Sequence, residues 1–241
     1  MLNTSKVKQN PQLKTLAIDI GGTGVKMIVL DAHGKPVNER LRLPTPNPAT
    51  PDTVLAQLEE MKGKMTGFDR VSIGFPGVVK DGKTMTAHNL NPTWVGFPLE
   101  KTVQERWHVP TRLCNDAAVQ GFGAIQGKGL ELVLTFGTGL GSSLFIDGRL
   151  CPGLELAHHP WRREKTYEDY LGRAGLEKYG KKRWCRLVAK AINQTRDLFN
   201  WDRLYLGGGN SPKIDIDMPP DVKIVSNEDG LLGGVALWHN D

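Results

Sequence analysis

Leu16-Ala17-Ile18-Asp19-Ile20-Gly21-Gly22-Thr23-Gly24-Val25-Lys26-Met27-Ile28-Val29-Leu30 decides the fold. Two apolar, β-branched-rich runs flank a sharp glycine turn, and Asp31-Ala32-His33-Gly34 turns again. The pattern predicts a hairpin, strand–turn–strand. It is not the strand–turn–helix of a dinucleotide-binding or P-loop unit, so these glycines do not announce one.

The hairpin returns later in the chain. Leu132-Val133-Leu134-Thr135-Phe136-Gly137-Thr138-Gly139 leads into Ser143-Leu144-Phe145-Ile146-Asp147-Gly148. A shift of 116 positions lays Leu16 on Leu132, Ile18 on Leu134, Asp19 on Thr135 and Gly21 on Gly137, and it lays Ile28 to Asp31 on Leu144 to Asp147. A solenoid repeats every ~20–50 residues. This single long-range repeat instead predicts two similar α/β lobes, each opened by a glycine-turn hairpin.

Between the hairpins, Pro44, Pro46, Pro48 and Pro51 mark a loop. A helix is expected from about Asp52 to Lys64, with Asp52 as N-cap and Val54, Leu55, Leu58 and Met61 on one face. Val71 to Phe75 reads as a strand, Leu99 to Trp107 as a helix, Val109 to Leu113 as a strand ending in Asn115-Asp116, and Ala117 to Ile125 as a helix. Further on, Trp184, Leu187, Val188, Ala191, Ile192, Thr195, Leu198 and Phe199 recur at helical spacing, which predicts one long amphipathic helix. Arg203 to Leu206 is a strand running into Gly207-Gly208-Gly209-Asn210, and Gly230 to Trp238 a short apolar helix.

The 241 residues, 39% hydrophobic and 24% charged, suit one large domain or two lobes with real cores. No apolar run approaches the ~20 residues that cross a bilayer, so no membrane association is expected. The polar start, residues 1–14, reads as a flexible arm and not a signal peptide. Cys114, Cys151 and Cys185 form no disulfide framework, which points to the cytoplasm. The net charge of +5 serves solubility or attracts an anionic partner.

One stretch, Gly77-Val78-Val79-Lys80-Asp81-Gly82-Lys83-Thr84, fits the P-loop pattern at every position. A P-loop needs a helix after it, because backbone N–H groups at the helix start bind the phosphate. Here Met85-Thr86-Ala87-His88-Asn89-Leu90-Asn91-Pro92 follows, a poor helix sequence. Asp81-Gly82 instead predicts a type I′ hairpin turn. Better phosphate cradles lie elsewhere. Asp19 at a strand end, the bare backbone of Gly21, Gly22 and Gly24, the Thr23 hydroxyl and the Lys26 ammonium form one, and Asp19 could hold Mg2+ or its waters. Thr138-Gly139 offers a second cradle, and Gly208-Gly209 a third glycine turn at a strand end.

DIGGTGVK at 19–26, SIGFPGVV at 72–79, NDAA at 115–118, TFGTGLGSS at 135–143, ELAHH at 155–159 and LYLGGGN at 204–210 resemble the ROK sugar kinases, and the resemblance covers Leu16 to Trp238. TYEDYLGRAGLEKYGKKRW at 166–184 and the segment from Leu206 to Trp238 are similar to the polyphosphate glucokinase branch. The resemblance implies an actin/hexokinase-like fold of two ribonuclease H-like lobes around a cleft. It implies a small lobe over 1–114, a large lobe over 115–229 and a C-terminal helix over 230–241 packing back on the small lobe. It also implies a glucokinase, with Asp116 as the base that takes the proton from the 6-hydroxyl of glucose. Helix N-capping explains Asp116 equally well locally. Asn115, Glu155, His158 and Glu168 match sugar-binding positions, with Asn89 and Gly77 as further candidates on that side of the cleft.

The implied donor is ATP, inorganic polyphosphate or both, with Mg2+. Lys181-Lys182-Arg183, with Arg162, Arg163 and Lys165, would form a cationic track for a long polyphosphate, or simply a solvated basic face. The sequence departs from the family twice. Ala157 stands where a glycine is common, and Pro160-Trp161-Arg162-Arg163-Glu164-Lys165 replaces a cysteine-rich zinc motif, so no zinc is expected. A homodimer is expected from the resemblance. The family's repressors carry a helix-turn-helix ahead of the first strand, and only about 15 residues precede it here, so no nucleic-acid partner is expected.

Overall fold

The computed structural model describes residues 13–225 and 229–238, so the expected arm at 1–14 lies almost wholly outside the described residues. At its end the Lys14 N–H donates to Asp69 Oδ2 at 2.7 Å. The first half of the chain runs through β1 (Thr15–Ile20), β2 (Val25–Leu30), β3 (Leu41–Leu43), α1 (Pro51–Lys62), β4 (Arg70–Phe75), β5 (Val79–Lys80), β6 (Lys83–Thr84), α2 (Leu99–Trp107) and β7 (Thr111–Asn115). α3 (Asp116–Ala124) leads to the second half: β8 (Leu130–Phe136), β9 (Leu140–Ile146), β10 (Arg149–Cys151), β11 (Pro160–Arg162), β12 (Lys165–Thr166), α4 (Tyr167–Leu171), α5 (Arg173–Phe199), β13 (Arg203–Gly207), β14 (Val222–Ile224) and α6 (Asp229–Ala236). No helix among the described residues is long and apolar enough to cross a membrane.

Two five-stranded sheets, ordered β3-β2-β1-β4-β7 and β10-β9-β8-β13-β14, share one topology. In each, the first three strands are antiparallel and the next two run parallel to the first. The repeat therefore extends from one hairpin to a whole sheet. These are the two ribonuclease H-like lobes of the actin/hexokinase-like fold. Side-chain alternation gives each sheet two covered faces. Leu16, Ile18 and Ile20 enter one core with α1 and α2, while Ala17 faces α6. Shifted by 116, Leu132, Leu134 and Phe136 enter the second core with α5, and Val133 faces the other way.

The constant shift fails on the return strand. Leu16 pairs with Val29, but Leu132 pairs with Leu144 and not with Phe145, so Val29 answers to Leu144, a shift of 115. The cause is the turn. Gly21 N–H closes on Gly24 O, whereas Gly137 N–H closes on Gly139 O, each at 3.0 Å, so the second turn is one residue shorter. A one-residue slip exchanges the two faces of a strand, so this difference decides which side chains reach the core.

Three local expectations change. Thr50, not Asp52, caps α1: its Oγ1 accepts from Thr53 N at 3.3 Å, Pro51 takes the first helical position, and Asp52 lies inside the first turn. The helix expected over Trp184 to Phe199 forms uninterrupted within α5, which also extends upstream to Arg173 across a break at Gly180, with φ 71° and ψ 158°. Leu198 leaves the buried face and is 63% exposed, while Trp184, Leu187, Val188, Ala191, Ile192 and Thr195 are buried. β3, absent from the sequence reading, forms from Leu41-Arg42-Leu43.

The P-loop look-alike is a hairpin. Asp81 and Gly82 have φ of 51° and 69°, the two left-handed positions of a type I′ turn, and they join β5 to β6. Thr84, which would hold the metal in a true P-loop, is buried and donates its hydroxyl to the carbonyls of Trp94 and Phe97.

α3 joins the lobes, and its glycines let it do so. A Cβ on Gly121 would stand 2.5 Å from the Phe145 ring of β9. On its other side α3 meets α6, where a Cβ on Gly233 would lie well inside van der Waals contact with the Val119 carbonyl oxygen. α6 also rests on the first sheet: Ser72 donates to Gly234 O, Trp238 Nε1 donates to Ser72 Oγ at 2.9 Å, and Arg70 and Arg112 lie over the Trp238 ring. Beyond α3 the chain turns at Gln126, Gly127 and Lys128, whose N–H groups all donate to the buried Glu131 carboxylate, as does the Tyr205 hydroxyl. Four donors satisfy that charge, and so it can be buried.

Gly233→Ala tests the helix crossing. Helix propensity alone favours alanine by about 1 kcal/mol. The added methyl meets backbone that cannot move aside, so we expect a net loss of about 1–3 kcal/mol, seen as a lower urea midpoint. A midpoint equal to or above that of the parent chain would refute the close crossing.

Candidate active site between the two sheets

Parallel strands of both sheets end at one cleft, the place where open α/β sheets bind ligands. β1 ends at the Gly21–Gly24 turn, β7 at Asn115, β8 at the Gly137–Gly139 turn and β13 at Gly208. The cleft has a volume of about 560 Å3, and every sugar-site and phosphate-site residue anticipated from the sequence lines it. The anticipated track does not. Lys181, Lys182 and Arg183 lie outside the lining, Lys181 Nζ sits 3.4 Å from Asp215 Oδ2, and the Arg183 guanidinium lies 4.8 Å from the Tyr179 ring centre.

Asn115 and Asp116 divide the local duties. Asn115, not Asp116, is the N-cap of α3: its Oδ1 accepts from Ala117 N at 2.9 Å and Ala118 N at 3.2 Å. Its Nδ2 donates to Gly77 O at 3.0 Å. That occupies the amide oxygen and leaves one N–H for a ligand. Gly77 has to be glycine, since a Cβ there would meet Thr86. Asp116 takes the first helical position and accepts from Ala117 N at 2.7 Å through Oδ1. Its pKa is raised to about 7, chiefly by burial, then by the Asp19 carboxylate, with Glu155 adding to the effect. The Ala117 N–H and the Lys26 ammonium oppose the shift without overcoming it.

Glu155, His158 and Glu168 gather on the second wall. Burial raises the Glu155 pKa, His158 pulls it back and Glu168 raises it again, so the three groups feel one another. A hairpin base joins them: Glu168 N donates to Ala157 O at 3.0 Å and Tyr167 N to His159 O at 3.2 Å. Ala157 is buried and adopts no positive φ, so the alanine fits where the family often has glycine. Where the zinc motif would stand, β11 and β12 form a hairpin whose Trp161 stacks on Tyr167, 4.7 Å between ring centres, and donates Nε1–H to Gln194. The first lobe supplies a residue the sequence reading missed: the His88 ring lies 3.8 Å from that of His158.

The glycine turns face each other across the cleft. A Cβ on Gly22 would stand 3.1 Å from Asn89, which brings that sugar-site candidate against the first cradle. Asp19 and Lys26 are cross-strand partners, with Nζ 2.7 Å from Oδ2. In the second cradle a Cβ on Gly139 would collide with Glu168, whose Oε2 accepts from Leu140 N at 2.9 Å. Gly208 has φ 86° and packs on Phe136, and Asn210 Nδ2 donates to Gly137 O at 3.0 Å, tying the third turn to the second. Arg40, Arg42 and Arg173 also line the cleft and were not anticipated. Charged–apolar alternation in Arg40-Leu41-Arg42-Leu43 was the available signal for the first two. Among the described residues no three His, Cys, Asp or Glu side chains come together as a metal cluster.

The chain is similar in sequence and fold to known proteins. A polyphosphate glucokinase from Mycobacterium tuberculosis is 30% identical over 212 residues, which is 84% of this chain and 80% of that protein. The crystal structure of an inorganic polyphosphate/ATP-glucomannokinase from Arthrobacter sp. strain KM superposes with a TM-score of 0.84 at 28% identity, covering 95% of this chain and 100% of the other. A ROK family glucokinase from Streptomyces griseus, solved with glucose and AMPPNP, has the same fold, with a TM-score of 0.79 at 20% identity over 93% of this chain and 98% of that one. The ROK family model itself matches residues 15–160, which hold both glycine turns, the Asn115-Asp116 pair and the Glu155/His158 pair. The chain belongs to the ROK family.

Proposed function

We propose that the chain is a glucokinase that transfers a phosphoryl group from ATP, inorganic polyphosphate or both to the 6-hydroxyl of glucose. The observation that carries this reading is Asp116, a carboxylate at the cleft floor with one oxygen held by a helix N–H and a pKa raised to about 7. A base poised near neutral pH can accept a hydroxyl proton and release it again. The similarity to a polyphosphate glucokinase and to a polyphosphate/ATP-glucomannokinase supports the substrate pair.

In this reading Asn89, Asn115, Glu155, His158 and Glu168 hold the sugar hydroxyls. Carboxylates accept, the amide N–H donates and an imidazole does either, as a polyol requires. The hydroxyl oxygen attacks the terminal phosphorus, the bond from that phosphorus to the leaving phosphate oxygen breaks, and the proton passes to Asp116. The Gly21–Gly24 and Gly137–Gly139 backbones approach the donor phosphates closely because no side chains intervene. Mg2+ is usually held by one or two carboxylates together with phosphates and waters, and Asp19 fits that role. When bound, the ion neutralises charge on the transferring phosphates.

Three outcomes test the reading. Asp116→Asn keeps the side-chain shape, and we expect glucose 6-phosphate formation to fall roughly 100- to 10,000-fold while the circular dichroism spectrum stays unchanged. Near-normal turnover would remove Asp116 as base. The raised carboxyl is inactive while protonated, so kcat/KM for glucose should climb as pH rises through about 7 and level off above it. A profile flat from pH 5 to 8 would contradict this. Lys83→Ala should stay within about twofold of the parent, because single surface changes rarely matter; loss of all phosphoryl transfer would restore the P-loop.

A further inference from the structure

The cleft is electrically polar. Its floor is acidic, with Asp19, Asp116, Glu155 and Glu168, whereas Arg40, Arg42 and Arg173 stand exposed along its walls. Among the described residues none of these three arginines makes an ion pair or a hydrogen bond through its side chain. Arg42 belongs to the edge strand of the first sheet, and Arg40 lies just before it. Asp19, Lys26 and Arg42 are successive cross-strand partners, so their side chains share one face. Asp19 neutralises Lys26, and the surplus positive charge of the row begins at Arg42.

Arg42 also reaches the phosphate cradle. Its Nε stands 3.1 Å, and its Nη2 3.6 Å, from the point where Gly24 would carry a Cβ. Arg40 lies just before β3, two residues from Arg42, so their roots are at most about 7 Å apart, and it too lines the cleft. A cationic strip thus starts at the Gly21–Gly24 turn and runs outward to the sheet edge. Across the mouth, Arg173 opens α5 with its N–H on Thr138 O at 3.1 Å, beside the second glycine turn. Guanidinium groups match phosphate oxygens in bidentate fashion, and unpaired ones sacrifice no existing partner on binding. The basic run at 181–183 is poorly placed by comparison, since it lies beyond the Gly180 bend and outside the cleft.

We propose that Arg42 and Arg40, facing Arg173 across the mouth, form a subsite for the distal phosphates of a linear polyphosphate chain whose terminal phosphate lies between the glycine turns. The proposal rests on the glucokinase reading and names the donor class that this reading leaves open. A chain of repeating phosphates gains a contact at each arginine along the strip, and a nucleotide triphosphate, which ends in a nucleoside, gains fewer.

The test compares the parent chain, Arg40→Ala/Arg42→Ala, Arg173→Ala and Lys181→Ala/Lys182→Ala/Arg183→Ala. Each is titrated calorimetrically with long-chain sodium polyphosphate and with tripolyphosphate at several salt concentrations, and KM is measured for polyphosphate and for ATP. For Arg40→Ala/Arg42→Ala we expect Kd and KM for the long chain to rise at least about tenfold, which is roughly 1.4 kcal/mol. The rise for tripolyphosphate and ATP should be several times smaller. The slope of log Kd against log salt should fall by about two, one per lost phosphate contact. Arg173→Ala should show the same selectivity with a slope change of about one.

Equal losses for ATP and long chains would overturn the subsite. So would a long-chain loss confined to the 181–183 variant. If the parent binds long chains through Arg40 and Arg42 but makes no glucose 6-phosphate from them, the donor reading falls and the subsite stands. If the parent uses polyphosphate and the Arg40→Ala/Arg42→Ala variant does so with unchanged KM, the subsite falls and the glucokinase reading stands. A parent that neither binds nor uses polyphosphate refutes both.

Discussion

How closely α3 can approach its neighbours is the constraint on which the cleft depends. The helix begins with Asn115 and Asp116 and runs between α6 on one side and β9 on the other. Gly233 and Gly121 carry no side chain at those two contacts, so backbone meets backbone and backbone meets ring. Close packing transmits strain instead of absorbing it, which leaves the first turn of α3 little freedom. The cap reinforces this: the Asn115 amide ties the helix start to Gly77 in the loop after β4. Asp116 is therefore positioned by three elements at once.

That placement also sets its chemistry. A carboxylate at a helix N-terminus ordinarily gains stability from the helix dipole. Here burial and two neighbouring carboxylates outweigh that gain, and the pKa moves up to about 7. The acids that raise it come from different parts of the chain, Asp19 from β1 and Glu155 from the loop after β10. Positive charge also lines the cleft: Lys26 is tied to Asp19, and Arg40, Arg42 and Arg173 stand exposed on its walls. The cleft thereby carries acids at its floor and cations along its walls.

Much of this was legible before folding. Alternation in β1 and β8 and glycine at both turns are local features, and the 116-residue shift correctly paired Leu16 and Ile18 with Leu132 and Leu134. The errors were local competitions that the sequence left balanced. Thr50 and Asp52 are both good caps, and Pro51 between them settled the matter for Thr50. Asn115 and Asp116 are both good caps, and the residue already pairing with Phe75 at the strand end took the role. Leu198 sits at helical spacing, but it stands near the end of α5, where the second core stops. His88, Arg173 and the donors around Glu131 carried no pattern of their own.

Residue type and spacing alone specify the two glycine-turn hairpins, the kinase-like motifs at their strand ends and the rejection of the P-loop look-alike. Each follows from contacts between residues close along the chain, where residue type dictates backbone angle and face. Long-range packing sets the ring contact of His88 with His158, the acidity of the cleft floor, and the place of Arg40, Arg42 and Arg173 in the cleft lining with the run at 181–183 outside it. Those depend on which distant side chains pack within a few ångströms of one another. Volume and charge at that contact set the outcome, and neither is written in the spacing of residues along the chain.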